Sequence, residues 1–355
     1  MCSVIKGNAY GHGIHSYLPV AEEAGVSYFG VFSAEEALYA DQVRKPDTEV
    51  MIMGMIDNPE LEWAIDREIS FYVFEFDRLK AAIEYAKRIG KPARIHVEFE
   101  TGLNRTGFHF TELEEVAALL NDEREHISIE GFCTHYAGAE SISNYLRIQN
   151  QIHNFRTMAE TMNSYGINAK CNHTACSAPM LNYPDTIMDM VRIGILQYGY
   201  WPNKETYMQY MLKDDNKNRD NPLRRVIKWK SVVMSTKNVA AGEFINYGTS
   251  YQAGRDMRIA TVPVGYCHGF SRSLSNLGRV LIHGRRVPVV GVVNMNMIVV
   301  DISSLSQVKK GDEVIVIGKQ RNNSITLGSF AEMTNKLNYE SLVRIPHDLP
   351  REVVP

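Results

Sequence analysis

The chain has 355 residues, 45% of them hydrophobic and 22% charged, with a formal net charge of −3. That length supports two buried cores, and the near-neutral balance gives no ground for a nucleic-acid surface or a polybasic membrane anchor. Five scattered cysteines without a CxxC pair argue against a disulfide framework or a structural metal site. No metal is therefore expected, and a reducing, cytoplasmic compartment is. The start shows no secretory leader pattern. The strongest apolar run, from Val287 to Val300, is interrupted by Asn294 and Asn296 and reads as buried strands, not as a membrane span.

In chain order, short apolar runs predict strands at Cys2–Ile5, Tyr28–Phe32, Glu49–Met53, Ser70–Phe74, Ala93–Phe99, Ser128–Thr134, Ala169–His173 and Met190–Ile195. Between them lie segments with helical spacing, such as Leu79, Ala82, Ile83 and Ala86, and then Leu113, Val116, Leu119 and Leu120. Eight such alternations predict a (β/α)8 TIM barrel over residues 1–202, although a doubly wound open sheet gives a similar pattern. Residues 203–225 are polar and read as a linker or insertion, with a loop from Asp214 to Pro222. From Val226 strand patterns dominate, at Lys228–Met234, Arg258–Val264, Arg279–Ile282, Val287–Val293, Ile298–Asp301 and Glu313–Ile317. Residues 226–355 are thus predicted to form a smaller, mostly β domain.

Chemistry-bearing residues cluster at predicted strand ends, which in a barrel face the mouth that carries function. The first strand runs into Ile5-Lys6-Gly7-Asn8-Ala9-Tyr10-Gly11-His12-Gly13. A lysine there would be partly desolvated, which lowers its pKa toward a nucleophilic amine. Further on come His96-Val97-Glu98 through Asn104-Arg105-Thr106-Gly107-Phe108, then Thr134-His135-Tyr136-Ala137, Asn172-His173-Thr174-Ala175-Cys176-Ser177, and Val191-Arg192-Ile193-Gly194-Ile195. The β half adds Phe244-Ile245-Asn246-Tyr247-Gly248, Val264-Gly265-Tyr266 and Val293-Asn294-Met295-Asn296. Each segment alone reads as an ordinary turn, surface or core residue.

In this order and spacing the segments resemble the alanine racemase family over essentially the whole chain. The resemblance implies a pyridoxal 5'-phosphate enzyme that interconverts L- and D-alanine, feeding D-alanine to cell-wall synthesis. It places the cofactor on Lys6 as a Schiff base, with Tyr10, Ser177, Gly194 and Ile195 around the phosphate, His135 beside the cofactor, and Arg192 toward the pyridine nitrogen. Arginine is a permanent donor, so that nitrogen should stay unprotonated and the cofactor should be a restrained electron sink. The substrate carboxylate falls to Arg105 and the Met295 backbone, with Tyr266 lining the pocket. Lys6 and Tyr247 are the implied pair of bases, one for each face of the α-carbon. His135 or a nearby arginine is expected to lower the Tyr247 pKa. The family supplies this tyrosine from the second subunit, which implies a homodimer acting on a small amino acid.

The chain departs from the family pattern at several points. Family members usually carry a further stretch before the cofactor strand, so the chain reads as starting late. Glu98 stands where many relatives have a carbamylated lysine, and its carboxylate is expected to position Arg105 instead. Asn296 replaces a frequent Asp, and Val353 stands where an aromatic residue often narrows the pocket. A broader-specificity racemase for serine or larger side chains therefore remains an alternative. A non-catalytic pyridoxal-phosphate-binding protein on the same barrel is a second, which the β domain disfavours.

Overall fold

The computed structural model describes residues 1–212 and 221–354. They form two compact units, one of Met1–Ala9 with Gly13–Arg224 and one of Tyr10–His12 with Arg225–Pro355. In the first unit, eight parallel strands follow one another as β1 (Cys2–Val4), β2 (Tyr28–Val31), β3 (Glu49–Ile52), β4 (Ser70–Val73), β5 (Ala93–Glu98), β6 (Ile127–Cys133), β7 (Cys171–His173) and β8 (Arg192–Ile193). Each pairs with the next in sequence up to β7, and β8 pairs with β1. A parallel bridge from Cys176 to Arg192 joins the segment after β7 to β8. This is a barrel and not an open sheet.

Strands β2 to β4 are nearly continuous apolar runs because both of their faces are buried, one in the barrel and one under helices. Val50, Met51, Ile52, Phe71 and Val73 are fully enclosed. The covering helices show the expected one-sided spacing. Phe76–Ile89 buries Leu79, Ala82, Ile83 and Ala86, is capped by the Glu75 carboxylate, and ends at Gly90 with φ 73°. Within the expected linker, Lys204–Leu212 is instead helical, and Asn203 caps it by accepting from the Thr206 N–H at 2.8 Å. Of the loop expected from Asp214 to Pro222, residues 214–220 lie outside the described residues.

The second unit holds antiparallel sheets. Its strands are β9 (Trp229–Val232), β10 (Ser235–Val239), β11 (Met257–Val262), β12 (Arg279–Ile282), β13 (Arg285–Pro288), β14 (Ile298–Asp301), β15 (Glu313–Gln320) and β16 (Asn323–Ile325). One sheet runs β10-β11-β14 and another β13-β12-β15-β16, with β9 on β15. The β12–β13 hairpin turns on His283 and Gly284, both with positive φ, as a two-residue turn of matching twist demands. The strand expected at Val287–Val293 is a correction. Pro288 has no N–H to donate and Gly291 sits at φ 77°, so the ladder stops at Pro288 while Val289, Val290 and Val293 remain buried as core.

Candidate active site

The chain leaves β1 through a left-handed turn. Gly7, Asn8, Ala9 and Tyr10 all have φ between 49° and 64°. Only glycine takes this conformation readily, and three consecutive side-chain-bearing residues in it cost about 1–2 kcal/mol each. The surroundings hold it in place. The Glu36 carboxylate accepts from the Asn8 N–H at 3.1 Å and the Phe32 N–H at 2.9 Å, and the Asn8 side chain accepts from the Ile14 N–H. Glu36 escaped the sequence reading, because a glutamate one turn into a helix looks like ordinary N-terminal charge.

This turn fixes where Lys6 leaves the strand. Its side chain is open to solvent, yet protein packs around its ammonium. Desolvation, then the Arg105 and Arg192 guanidiniums, lower its pKa from the ordinary lysine value. His135 is held neutral, at about 3, by burial and then by Arg192, Arg105 and Lys6. Lys6, Arg105, His135 and Arg192 thus share one electrostatic neighbourhood. A neutral His135 supplies no cation to its neighbours.

Arg192 is buried, and its guanidinium is nearly saturated. Nη1 donates to the His173 Nδ1 and, at 2.6 Å, to the His173 carbonyl; Nη2 donates to the carbonyls of Thr134 at 2.7 Å and Thr174 at 3.0 Å. Of the five N–H groups of an arginine, only that on Nε has no partner among the described residues. An unspent, permanently charged donor fits an acceptor such as a ring nitrogen. Ser177 is buried and its Oγ accepts from the Gly194 N–H at 3.1 Å, while Ile195 opens a 3-10 turn whose first N–H groups have no intrahelical acceptor. Hydroxyl and backbone N–H groups of this kind suit a phosphate.

Glu98 is buried and accepts from the Thr106 hydroxyl at 2.8 Å; among the described residues it makes no ion pair with Arg105. Burial raises its pKa, opposed by Thr106 and then by the nearby Arg105 charge. Glu98 thus acts on Arg105 through charge, while its hydrogen bond goes to the neighbour in sequence.

The second unit holds the other predicted positions. Tyr10 is buried, its ring 6.1 Å from that of Tyr339. Tyr247, Tyr266 and Met295 are 74%, 41% and 55% exposed, and their backbones are tied together. Asn246, at φ 71°, accepts from the Tyr247 N–H at 3.0 Å and from the Asn294 amide at 2.8 Å, and donates to the Val292 carbonyl. The Tyr266 N–H donates to the Asn294 carbonyl and the Cys267 N–H to that of Met295, both at 3.0 Å. A Cβ on Gly265 would overlap those two carbonyls, so a glycine is needed for the approach. The result is a stiff platform under three exposed side chains.

The buried imidazoles make stability sensitive to acid. His96 and His135 sit at about 3 and His173 well below its ordinary value, each through burial first. Below about pH 6.5 the unfolded chain binds protons there that the folded chain refuses, so folding stability falls with pH toward about 3. Glu98 works in the opposite sense, one carboxyl against three imidazoles. Thermal unfolding should show Tm dropping by several degrees between about pH 7.5 and about pH 5.5; a flat or rising Tm would contradict the neutral assignment.

A parallel barrel with a depressed lysine at its first strand end, followed by an antiparallel domain presenting tyrosines, is the architecture of the two-domain amino-acid racemases. Residues 1–202 match the family model "Alanine racemase, N-terminal domain" and residues 226–353 "Alanine racemase, C-terminal domain". The chain is 33% identical over 356 residues to an alanine racemase of Leptospira interrogans, covering 100% of this chain and 89% of that one. It superposes on a solved alanine racemase of Clostridium difficile 630 with a TM-score of 0.87 at 31% identity, covering 97% and 86% of the two chains. It also superposes on an alanine racemase of Bartonella henselae solved with covalently bound pyridoxal phosphate, with a TM-score of 0.80 at 25% identity over 97% and 90%. The chain belongs to the alanine racemase family, and it is a racemase.

Proposed function

We propose that the chain interconverts L- and D-alanine with pyridoxal 5'-phosphate held at Lys6, using Lys6 and Tyr247 as its two bases. The observation that carries this reading is the lowered pKa of Lys6 in the neighbourhood of Arg105, His135 and Arg192. When bound, the cofactor draws electrons from the substrate α-carbon and so acidifies its proton. Lys6 would hold the cofactor aldehyde; Ser177 with the backbone at Gly194 and Ile195 would hold its phosphate, as would the Tyr10 hydroxyl; His135 would pack beside the ring. The Arg192 Nε–H would face the ring nitrogen as a fixed donor, which keeps a proton off that nitrogen.

Arg105 and the Met295 N–H would bind the substrate carboxylate, the arginine through paired bonds, and Tyr266 would line the pocket. Lys6, readily neutral because it is desolvated, would move the α-proton on one face at its Nζ. Tyr247 would do so on the other face at its Oη. A group fixed on one side of a planar carbon reaches only that face, which is the reason for two bases. In this reading Tyr247 reaches the site of a second copy, so the working unit is a homodimer, and its setting is the cytoplasm. The domain limits follow the sequence reading, 1–202 and 226–355, with 203–225 between them.

Borohydride reduction of the cofactor-loaded protein, followed by peptide mapping, should leave the cofactor mass on the Lys6 peptide. Label on any other lysine would reject the assignment. Glu98 has no amine that carbon dioxide could carbamylate. Removing carbon dioxide should therefore leave turnover unchanged, whereas Glu98→Gln, folded by circular dichroism, should lose about tenfold or more in kcat/KM. Full activity of that variant would overturn the role given to Glu98.

A further inference from the structure

We infer that His96, joined to Arg192 through His173 across the gap left by Gly131, is a positioning residue that holds the Arg192 guanidinium in register by a one-way chain of hydrogen bonds. Arg192 lies at the start of β8, His173 at the end of β7, Gly131 in β6 and His96 in β5. The Nδ1 of His96 and the Nε2 of His173 meet at 2.9 Å, with the rings edge to face at 4.9 Å. The two strands that carry them are not neighbours, because β6 runs between them. A Cβ on Gly131 would overlap His96 Nδ1 and stand 2.9 Å from His173 Nε2. Gly131 does not have positive φ, so its backbone does not demand glycine. What demands it is the room taken by the two imidazoles.

The direction of every bond follows from one end. Arginine only donates, so the His173 Nδ1 facing Arg192 Nη1 must be an acceptor. Burial keeps His173 neutral, and its proton therefore sits on Nε2, which donates to His96 Nδ1. Burial likewise keeps His96 neutral, which puts its proton on Nε2, donated to the Tyr28 hydroxyl at 3.0 Å. Tyr28 passes its own proton bond to Ser70 Oγ at 3.4 Å, and Ser70 ends the chain on the Val50 carbonyl at 3.3 Å. A permanent cation stands at one end and a backbone acceptor at the other, so neither imidazole can move its proton to its other nitrogen without two N–H groups facing each other.

His96, His173 and the Cys171 thiol also lie close enough to be considered as a metal site. Two nitrogens 2.9 Å apart suit a shared proton better than two ligands of one zinc ion, which stand about 3.3 Å apart. The Cys171 thiol meanwhile donates to the Glu130 carbonyl at 3.2 Å.

The consequence for the reaction rests on the racemase reading; the chain of bonds does not. If His96 loses its place, His173 is free to carry its proton on Nδ1, where it opposes Arg192 Nη1. The guanidinium then loses an anchor, and its one spare N–H loses its aim.

The test is long-range 15N spectroscopy of the histidines in the full chain without added cofactor, followed by titration with pyridoxal 5'-phosphate. In the unaltered protein both His96 and His173 should be neutral with the proton on Nε2. In Gly131→Ala and His96→Phe, His173 should shift toward the Nδ1 form, and the Kd for pyridoxal 5'-phosphate should rise about tenfold, the worth of one hydrogen bond to a charged group. His96→Gln, which keeps an acceptor for His173, should restore most of both. An Nδ1 proton on His173 in the unaltered protein, or stoichiometric zinc in it, would overturn the chain. So would a folded Gly131→Ala with the His173 form unchanged and Kd within about twofold. If Gly131→Ala does not fold, the contrast between His96→Phe and His96→Gln decides by the same two readouts. A protein that binds no pyridoxal 5'-phosphate would refute the racemase reading, while the spectra would still judge the chain.

Discussion

Lys6→Ala should lower racemase turnover by about 10⁴-fold or more while leaving the fold intact. The substitution removes both the amine that would hold the cofactor and one of the two proposed bases. It should not unfold the barrel, because the Lys6 side chain is exposed and β1 is anchored by Cys2, Val4 and Ile5, which are buried. The left-handed turn that follows is held by hydrogen bonds of Glu36 and Asn8 that do not use the Lys6 side chain. A small primary amine supplied in solution should restore part of the activity, since the missing group is chemically simple and its space is vacant. Turnover within about tenfold of the unaltered protein would mean that Lys6 is not the reacting lysine.

Tyr247→Phe should cost about 10²–10⁴-fold in racemisation, the usual worth of one positioned general acid–base group. Its signature is selective. With Lys6 still present, the α-proton of one enantiomer should continue to exchange with deuterated water without inversion, while exchange from the other enantiomer is lost. Tyr247 is 74% exposed on a platform held by Asn246, so removing one hydroxyl should leave Tm nearly unchanged. Equal loss of exchange from both enantiomers would assign the second base elsewhere.

Much of the barrel was legible from sequence because its early strands are short runs that are apolar on both faces. Glu49–Ile52 and Ser70–Val73 stand out in this way, and the helix over Phe76–Ile89 announces itself by four buried residues at helical spacing. Expected strand ends overran by one residue at Phe32, Met53 and Phe74, which are apolar but lie past the last ladder partner. The β domain was harder to read. Ser235–Val239 buries only Val239, so no alternation marks it, and Pro288 cut short a run that looked continuous.

The candidate site divides in the same manner. Lys6, Arg105, His135, Ser177 and Arg192 sit beside turn glycines or at strand ends, where local sequence carries the signal. The His96–His173 pair depends on a missing side chain on a third strand, and the Glu36 clamp on two loops brought together by the barrel. Neither relation has a local trace. Near Glu98 the residue type was readable but its partner was not, because Thr106 and Arg105 compete for it across one turn.

The most direct measurement is a chiral amino-acid assay on the purified protein, with and without added pyridoxal 5'-phosphate, offering L-alanine and L-serine separately. The proposed function predicts D-alanine forming until the enantiomers are equal, only with cofactor, and faster than D-serine forms from L-serine. Preference for L-serine would keep the chemistry and change only the substrate. Production of neither D-amino acid by a folded, cofactor-loaded protein would contradict the proposal.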